Sequence, residues 1–373
     1  MSVETADFLV IGLGAMGGAA FRALATRGLR VIGLEQFSIG HARGSSHGET
    51  RIIRKAYFEH PDYVPLLRRS YELWNELEAA TGQKLYHETG LLIAGPADGE
   101  AIPGAKLAAR LHGLSIEDLR RVDVERRFPW MQLPEGLECV FEPEAGFLEV
   151  EKCVKAQVRD GQRLGGRAIC GERVLDWSVE GSAVRVTTDR ARYEASGLVI
   201  AAGAWATRML ADQKVPLEVV RKPTVWFRSG RIEEAPSCGF FVEREGRAFY
   251  GVPSLEAGVT KLAEHTGGEP VDPDHVDRTL REEDVRPLDE FRRLALRGLE
   301  PDPVRYSVCM YTLTPDRHFV IDRQGVAANV AFACGFSGHG FKFAPVVGEA
   351  LADLVTVGRT ALPVDFLRNR WKA

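Results

Sequence analysis

Apolar residues at the start of the chain occur in two short runs, Phe8–Ile11 and Leu29–Leu34. Between these runs lie a glycine-rich turn and an alanine-rich stretch from Gly18 to Thr26. Short apolar runs bounded by glycine predict buried strands, whereas the alanine-rich stretch predicts a helix. The pattern therefore predicts a strand, a tight turn, a helix and a second strand that ends at Glu35.

The turn has the spacing GxGxxG, formed by Gly12, Gly14 and Gly17. Gly12 permits a sharp exit from the strand, Gly14 lets the backbone approach a pyrophosphate, and Gly17 lets the helix pack close to the strand. Glu35 follows about 20 residues later, where a carboxylate can bind the ribose hydroxyls of an adenosine. The alternative, an ordinary glycine-rich turn of an α/β protein, leaves Glu35 unexplained. The motif predicts dinucleotide binding without distinguishing FAD from NAD, and the acid argues against NADP.

The middle of the chain changes from a helical to a strand pattern. Helical periodicity from Pro61 to Thr81 predicts a long helix that buries Leu67 and Trp74 and ends at Gly82. Strands are expected at 174–179, 184–188, 193–195, 198–205, 215–227 and 240–252. The first three predict a β-meander, and the last should contain a hairpin turn at 243–246.

Three segments present candidate chemistry. Arg51 and Arg54 lie three apart, so a helical turn would place both guanidinium groups on one face; solvated surface charge is the alternative. On a strand of period two, Lys261 and His265 share a face that could line a pocket. A second glycine-rich loop, 335–345, precedes a helix whose N-terminus could bind an anion.

Composition narrows the class of protein. The chain has 373 residues, enough for two domains, and a net charge of −4, which makes nucleic acid an unexpected partner. No apolar run approaches the roughly 20 residues that span a bilayer, and no signal peptide precedes the first strand. The six cysteines are scattered without CxxC spacing. We therefore expect no metal site and a cytoplasmic protein that contacts neither nucleic acid nor a membrane.

Five stretches together resemble one family: GLGAMG, GSSHGETRIIRKAY, GVPS with KLAEH, VCMYTLTPDRHFVID and GFSGHGFKF. They are similar to the monomeric sarcosine oxidases and N-methyl-L-tryptophan oxidases, which are flavin amine oxidases of the D-amino-acid-oxidase type. The stretches extend over essentially the full length of the chain.

The resemblance implies an α/β (α+β) fold in which a mixed-sheet substrate domain is inserted into a Rossmann-like FAD-binding domain. The FAD-binding domain is expected at 1–85, 145–215 and 315–373, and the substrate domain at 86–144 and 216–314. The implied reaction is oxidation of an N-methyl amino acid by O2, which yields the amino acid, formaldehyde and hydrogen peroxide. A monomer is expected.

The resemblance also implies how FAD is held. Cys309, which the residues alone suggest is a buried filler, matches the cysteine that forms a thioether with the flavin 8α carbon, and Thr312 continues that motif. Arg51 and His47 match the basic residues that face the flavin. Gly338, Gly340 and Lys342 are expected at the pyrimidine end of its ring.

The resemblance also implies which residues bind the substrate and line its pocket. Arg54 and Lys342 match the pair of cations that holds the substrate carboxylate, and His265 and Tyr250 match residues that line the pocket. Lys261 matches the lysine beside flavin N5, where a fixed cation favours the reduction of O2.

Two positions depart from the sarcosine-type pattern and leave the substrate open. Phe241 replaces a methionine over the substrate, and Leu313 replaces a lysine near the attachment site, so a larger side chain could be accepted. The alternatives are another secondary amine, such as a cyclic imino acid or a fructosyl amino acid, and a dehydrogenase that does not use O2. A non-catalytic flavoprotein subunit is the alternative outside the enzymes.

Overall fold

The structure is a computed structural model, and it describes residues 3–324 and 329–371. Residues 1, 2, 325–328, 372 and 373, which belong to the predicted FAD-binding domain, lie outside the described residues. The strands are β1 (Val3–Ile11), β2 (Val31–Glu35), β3 (Thr50–Ile53), β4 (Tyr86–Glu88), β5 (Leu91–Gly95), β6 (Glu117–Leu119), β7 (Glu138–Glu142), β8 (Gly146–Glu149), β9 (Arg167–Cys170), β10 (Val174–Glu180), β11 (Ala183–Thr188), β12 (Arg192–Ile200), β13 (Glu218–Ser229), β14 (Gly239–Arg244), β15 (Arg247–Pro253), β16 (Val259–Glu264), β17 (Glu269–Pro270), β18 (Leu299–Leu313), β19 (Val320–Arg323) and β20 (Val330–Cys334). The helices are α1 (Ala15–Thr26), α2 (Tyr63–Thr81), α3 (Ala101–His112), α4 (Arg121–Arg127), α5 (Val150–Arg163), α6 (Ala206–Met209), α7 (Glu282–Ala295) and α8 (Ala344–Val357).

The first sheet has the strand order β10-β11-β12-β1-β2-β9, with β20 beside β12 and β19 beside β20. Strands β9, β2, β1, β12 and β20 are parallel to their neighbours in this series, so their carboxyl ends lie at one edge. Helices α1 and α8 contribute to the apolar core on one face of this sheet. This is the predicted nucleotide-binding layout, and the predicted strand–turn–helix–strand unit is confirmed as β1, α1 and β2.

A second, mixed sheet has the order β17-β13-β16-β15-β14-β5-β7-β6, and β18 pairs with β13. Its two faces bury separate apolar clusters, one around Phe240 and the other around Phe241. The predicted hairpin is confirmed, because β14 and β15 are joined at Glu245 and Gly246. A small third sheet, β3-β8-β4, completes the described strands.

The prediction of separate strands at 193–195 and 198–205 is wrong. One strand, β12, covers 192–200, and the chain leaves it before Ala201. Its first half pairs with β11 and its second half with β20, while β1 pairs along its length. Gly197 lies inside this continuous strand and is required by packing, because a Cβ atom there would lie 2.7 Å from the Phe8 ring.

The predicted helical turn at 51–54 is also wrong. Residues 50–53 form β3, which pairs with β8, and Arg54 follows the strand directly. Alternation along an extended chain sends side chains three residues apart to opposite faces. Arg51 and Arg54 consequently belong to different clusters, described below.

Candidate active site

A long cleft lies along the carboxyl ends of β1, β2, β12 and β20. It contains about 1480 Å³ of space, part of it open to solvent. The turn after β1 and the segment 201–205 line its middle; Glu35 lies at one end, and Arg51, Tyr311 and Gly338 at the other. Ligands of open α/β sheets bind at this edge, so the cleft is the candidate dinucleotide site.

The glycines of the turn show why the cleft fits a pyrophosphate. Gly12 has a φ of +85°, and a Cβ atom at Gly17 would lie 1.7 Å from the Gly12 carbonyl oxygen. Glycine at position 17 is therefore required by the close approach of α1 to the strand, and glycine at position 12 by its backbone conformation and by Ala201, whose carbonyl oxygen would lie 2.6 Å from a Cβ atom. Gly14 differs, because a Cβ atom there would meet only Ser46 Oγ, at 3.5 Å. Packing within the chain does not require glycine at position 14, whereas close approach of a ligand to the backbone does.

Glu35 is buried at the end of β2 and lines the cleft. Its Oε2 accepts a hydrogen bond from the Leu13 N–H (3.0 Å) and its Oε1 accepts one from the Phe37 N–H (2.9 Å). The carboxylate thus fixes the glycine-rich turn. Its Oε1 also lies 3.3 Å from His41 Nε2, whereas Oε2 keeps a lone pair for a further donor. Its binding to ribose hydroxyls stays a prediction.

Cys309 lies buried at the other end of the cleft, beside the cation of Arg51. Arg51 Nη2 donates to Cys309 Sγ at 3.4 Å. Burial alone would raise the pKa of the thiol, but nearby His47 and Arg51 lower it to about 6. His47 is itself buried and lies with its Nδ1 3.1 Å from Ser307 Oγ. Cys309 is therefore a thiolate at neutral pH, which is the reactive form of a cysteine.

Thr312 lies three residues further along β18 and lines the cleft. Its Oγ1 is buried and has no hydrogen-bond partner among the described residues. A buried hydroxyl without a partner is costly, so this one favours a polar ligand in the cleft. The glycine cradle, the thiolate and this hydroxyl all fit a bound flavin dinucleotide.

Lys261 lies in the same cluster and is fully buried. Its Nζ donates to the carbonyl oxygens of Gly48, at 3.0 Å, and of Thr50. Burial lowers the pKa of this ammonium well below its ordinary value, and the charge of Arg51 lowers it further. A cation at this position is therefore more easily lost at high pH than that of an exposed lysine.

A second cluster surrounds Arg54, which is also buried. Two of its hydrogen bonds go from Nη2 to the carboxylate oxygens of Glu59, at 2.8 and 2.6 Å. Lys342 Nζ donates to the His339 carbonyl oxygen at 2.7 Å. Burial, followed by the charge of Arg54, lowers the pKa of Lys342 to about 7. The chain thus places its own carboxylate on the cation predicted to bind the substrate.

Between the two clusters lies a group of aromatic side chains. The His265 ring lies 5.9 Å from Phe241, 6.4 Å from Tyr250 and 5.6 Å from Tyr311, measured between ring centres. Burial lowers the pKa of His265 to about 3, so its imidazole is neutral at neutral pH. Sequence reasoning singled out Phe241, Tyr250 and His265 but missed Tyr311.

Sequence reasoning also missed Glu59. An acid five residues after Arg54 gave no periodic signal, because the two lie in the irregular segment between β3 and α2. Among the described residues, no three His, Cys, Asp or Glu side chains form a candidate metal-ligand group. In the same part of the chain no helix has the length and apolar character that crossing a membrane requires.

Comparison with known proteins defines the class. The model of the FAD-dependent oxidoreductase family DAO matches residues 7–354, so the chain belongs to that family. FAD is accordingly its cofactor, and the predicted D-amino-acid-oxidase-type fold is confirmed.

The most specific similarities are to amine oxidases. The chain is 39% identical to the monomeric sarcosine oxidase of Streptomyces avermitilis, with 98% of this chain and 97% of that protein covered. It is 32% identical to the N-methyl-L-tryptophan oxidase of Yersinia pestis, over 93% and 94%. Among solved structures it is similar to NikD, described as an unusual amino acid oxidase essential for nikkomycin biosynthesis, with a TM-score of 0.87, 26% identity and 98% of each chain covered.

Proposed function

We propose that the protein is an FAD-dependent oxidase of an N-methyl amino acid of the sarcosine or N-methyl-L-tryptophan type. The amine loses a hydride from its N-methyl carbon and a proton from nitrogen. Water hydrolyses the imine to formaldehyde and the amino acid, and O2 takes up the electrons and protons as hydrogen peroxide. When bound, FAD supplies the two-electron acceptor for this reaction. The observation that carries the proposal is the buried Cys309 in contact with Arg51, which lines one end of the dinucleotide cleft, together with the buried cations Arg54 and Lys342.

Cys309 is the proposed covalent attachment point of the flavin, through an 8α thioether. Its support is the buried thiolate beside Arg51 and His47. Gly338 and Gly340 line the same end of the cleft and are the proposed contacts of the pyrimidine ring, together with Lys342, which lies buried beside them.

Arg54 and Lys342 are the proposed ligands of the substrate carboxylate. A guanidinium group can hold a carboxylate through charge-assisted hydrogen bonds, and Arg54 Nη2 already donates to both carboxylate oxygens of Glu59. The cations also favour the neutral, reactive form of the substrate amine, because a nearby positive charge lowers the pKa of an amine. Tyr250, His265 and Phe241 are the proposed walls of the pocket.

Lys261 is the proposed cation for the reduction of O2. A positive charge that is already in place stabilises the superoxide formed by one-electron transfer to oxygen. This role requires the protonated amine, so the lowered pKa of Lys261 makes it sensitive to pH.

The proposal includes the division into domains. The strands of the first sheet fall within 1–85, 145–215 and 315–373, and those of the second fall within 86–144 and 216–314. That the enzyme is cytoplasmic and monomeric stays a prediction. Its six cysteines are all free, which is compatible with a reducing compartment.

Two measurements test the function. The visible spectrum of the purified protein is recorded before and after acid precipitation, and yellow colour that stays with the pellet is expected for a covalent flavin. Peroxide formation is then measured with sarcosine, N-methyl-L-tryptophan, L-proline and a fructosyl amino acid. Turnover of proline or the fructosyl compound alone would refute the N-methyl assignment, and bleaching of the flavin without peroxide would refute the oxidase.

A further inference from the structure

Phe58 and Phe241, named here the aromatic wall, lie beside the proposed carboxylate site. Their ring centres are 4.9 Å apart, and the two residues are only 9% and 8% exposed. The guanidinium carbon of Arg54 lies 3.9 Å from the centre of the Phe58 ring. At the other end, Phe241 lies against His265. The wall therefore spans the distance from the carboxylate site to the histidine.

The wall is held by close packing behind it. The backbone of Phe58 packs directly against α3, where a Cβ atom at Gly104 would come within 2.4 Å of the Phe58 carbonyl oxygen. Phe241 is held in β14, between the ladder partners Ile93 and Tyr250. Both rings belong to one buried apolar cluster that also includes Ile102. Displacing either ring would overpack this cluster, which is unfavourable in a closely packed core.

We infer that the aromatic wall restricts the substrate to N-methyl amino acids with small side chains, and that Phe58 is a specificity-determining residue. The inference rests on the proposed function. A carboxylate that replaces Glu59 on Arg54 lies directly beside Phe58, so the adjoining space is already filled. Sarcosine carries only hydrogen atoms on its α-carbon and fits, whereas an indolylmethyl side chain requires a ring to move. Phe241 makes the pocket more apolar, as expected from the sequence, but its packing against Phe58 closes the pocket.

The first test compares kcat/KM for sarcosine and N-methyl-L-tryptophan in the wild type, Phe58→Ala and Phe241→Ala. The wild type should prefer sarcosine, and each substitution should raise the ratio of N-methyl-L-tryptophan to sarcosine by about tenfold or more. Phe128→Ala is the control, because Phe128 is equally buried but packs on the opposite face of the second sheet. Its ratio should equal that of the wild type. A wild-type preference for N-methyl-L-tryptophan, or an unchanged ratio in both wall variants, would overturn the inference.

The second test does not need turnover. Acetate and indole-3-acetate are titrated into the oxidised holoenzyme, and binding is followed by the change in flavin absorbance. The wild type should bind acetate more tightly than indole-3-acetate, and Phe58→Ala should shift this preference towards indole-3-acetate by about the same factor as in the first test. The same preference in the wild type and in Phe58→Ala would contradict the role of the aromatic wall. Should the alanine variant fail to fold, Phe58→Leu should shift it in the same direction. Absence of turnover with every N-methyl amino acid would refute the proposed function, and the ligand titration would still decide the inference.

Discussion

Glu59 is bound to Arg54, the cation proposed to bind the substrate carboxylate. Glu59→Gln should therefore strengthen the binding of carboxylate ligands. In the ligand-free protein both oxygens of Glu59 accept hydrogen bonds from Arg54. A substrate carboxylate must displace this internal one. Glutamine preserves the shape of the side chain and removes its charge, so the variant weakens the competitor without emptying the space.

The size of the effect follows from the pKa of Glu59. Burial would raise this pKa, but Arg54, His339 and Lys342 lower it from an ordinary 4.5 to about 2. At about 1.4 kcal/mol for each tenfold change in an equilibrium, this corresponds to about 3 kcal/mol of net stabilisation of the charged carboxylate over the neutral acid, after the cost of its burial. A neutral amide keeps about 1 kcal/mol of hydrogen bonding. The dissociation constant of a carboxylate ligand should therefore fall by about tenfold to a hundredfold.

The assay is an acetate titration of the oxidised holoenzyme, followed by flavin absorbance at constant ionic strength. Glu100→Gln is the control, because Glu100 is a neighbouring carboxylate whose ion-pair partner is Arg317, at 3.8 Å, and not Arg54. Glu59→Gln should also lower the melting temperature of the ligand-free protein, because Arg54 loses its buried ionic partner, and acetate should restore it. An acetate dissociation constant that is unchanged or weaker in Glu59→Gln would refute the reasoning, since Glu59 would then support the anion site instead of competing for it.

Three further predictions concern the two ends of the cofactor cleft. Cys309→Ser should release flavin into acid supernatant. In the wild-type apoprotein the absorbance of the Cys309 thiolate should be present above pH 6 and lost below it, with a midpoint near pH 6, and Cys309→Ser should lack this absorbance. A midpoint near pH 9 would contradict the lowered pKa of Cys309. Lys261→Met should slow reoxidation of the reduced flavin by about 10²-fold while anaerobic reduction by substrate stays similar. Wild-type reoxidation should slow as the pH rises through the lowered pKa of Lys261, and equal reoxidation rates in the two proteins would exclude this role. Asp274 accepts a hydrogen bond from Trp205 (2.7 Å) and pairs with Arg173 (3.2 Å), two residues that line the Glu35 end of the cleft. In a Cys309→Ser background, Asp274→Asn should speed FAD dissociation, measured by flavin fluorescence, and an unchanged rate would show that this contact does not retain the cofactor.

Arg51 and Arg54 show where reasoning from spacing failed. Their separation fitted a helical face, but the segment pairs as a strand with β8, nearly 100 residues away in the chain. Pairing with a distant strand overrode the local pattern, as it commonly does for short segments. Arg51 then meets Cys309 and Arg54 meets Glu59, so the two guanidinium groups, expected on one face, belong to two separate clusters. The resemblance to a family assigned the two arginines separately, Arg51 to the flavin and Arg54 to the substrate carboxylate, and these two roles stay predictions.

Gly197 shows a second limit. Glycine in an apolar segment is typical both of a turn and of a close contact inside a sheet. Only the position of the Phe8 ring, on a strand almost 190 residues earlier, shows that the second reading applies. The helix α2 was predicted more accurately, because its buried stripe repeats over five turns and Gly82 ends it with a left-handed conformation.

The sequence by itself determined the dinucleotide unit. Gly12, Gly17 and Glu35 lie within 24 residues, so their spacing alone predicted the strand–turn–helix–strand unit that β1, α1 and β2 form. Tertiary structure decided the chemistry at the other end of the cleft. Arg51 and Cys309 are 258 residues apart, and Lys261 and Thr50 are 211 apart. These pairs meet only because the second sheet places β13, β16 and β18 against β3 and the loop before it. In that assembly burial lowers the pKa of Lys261, whereas the neighbouring His47 and Arg51 lower the pKa of Cys309 against the effect of burial.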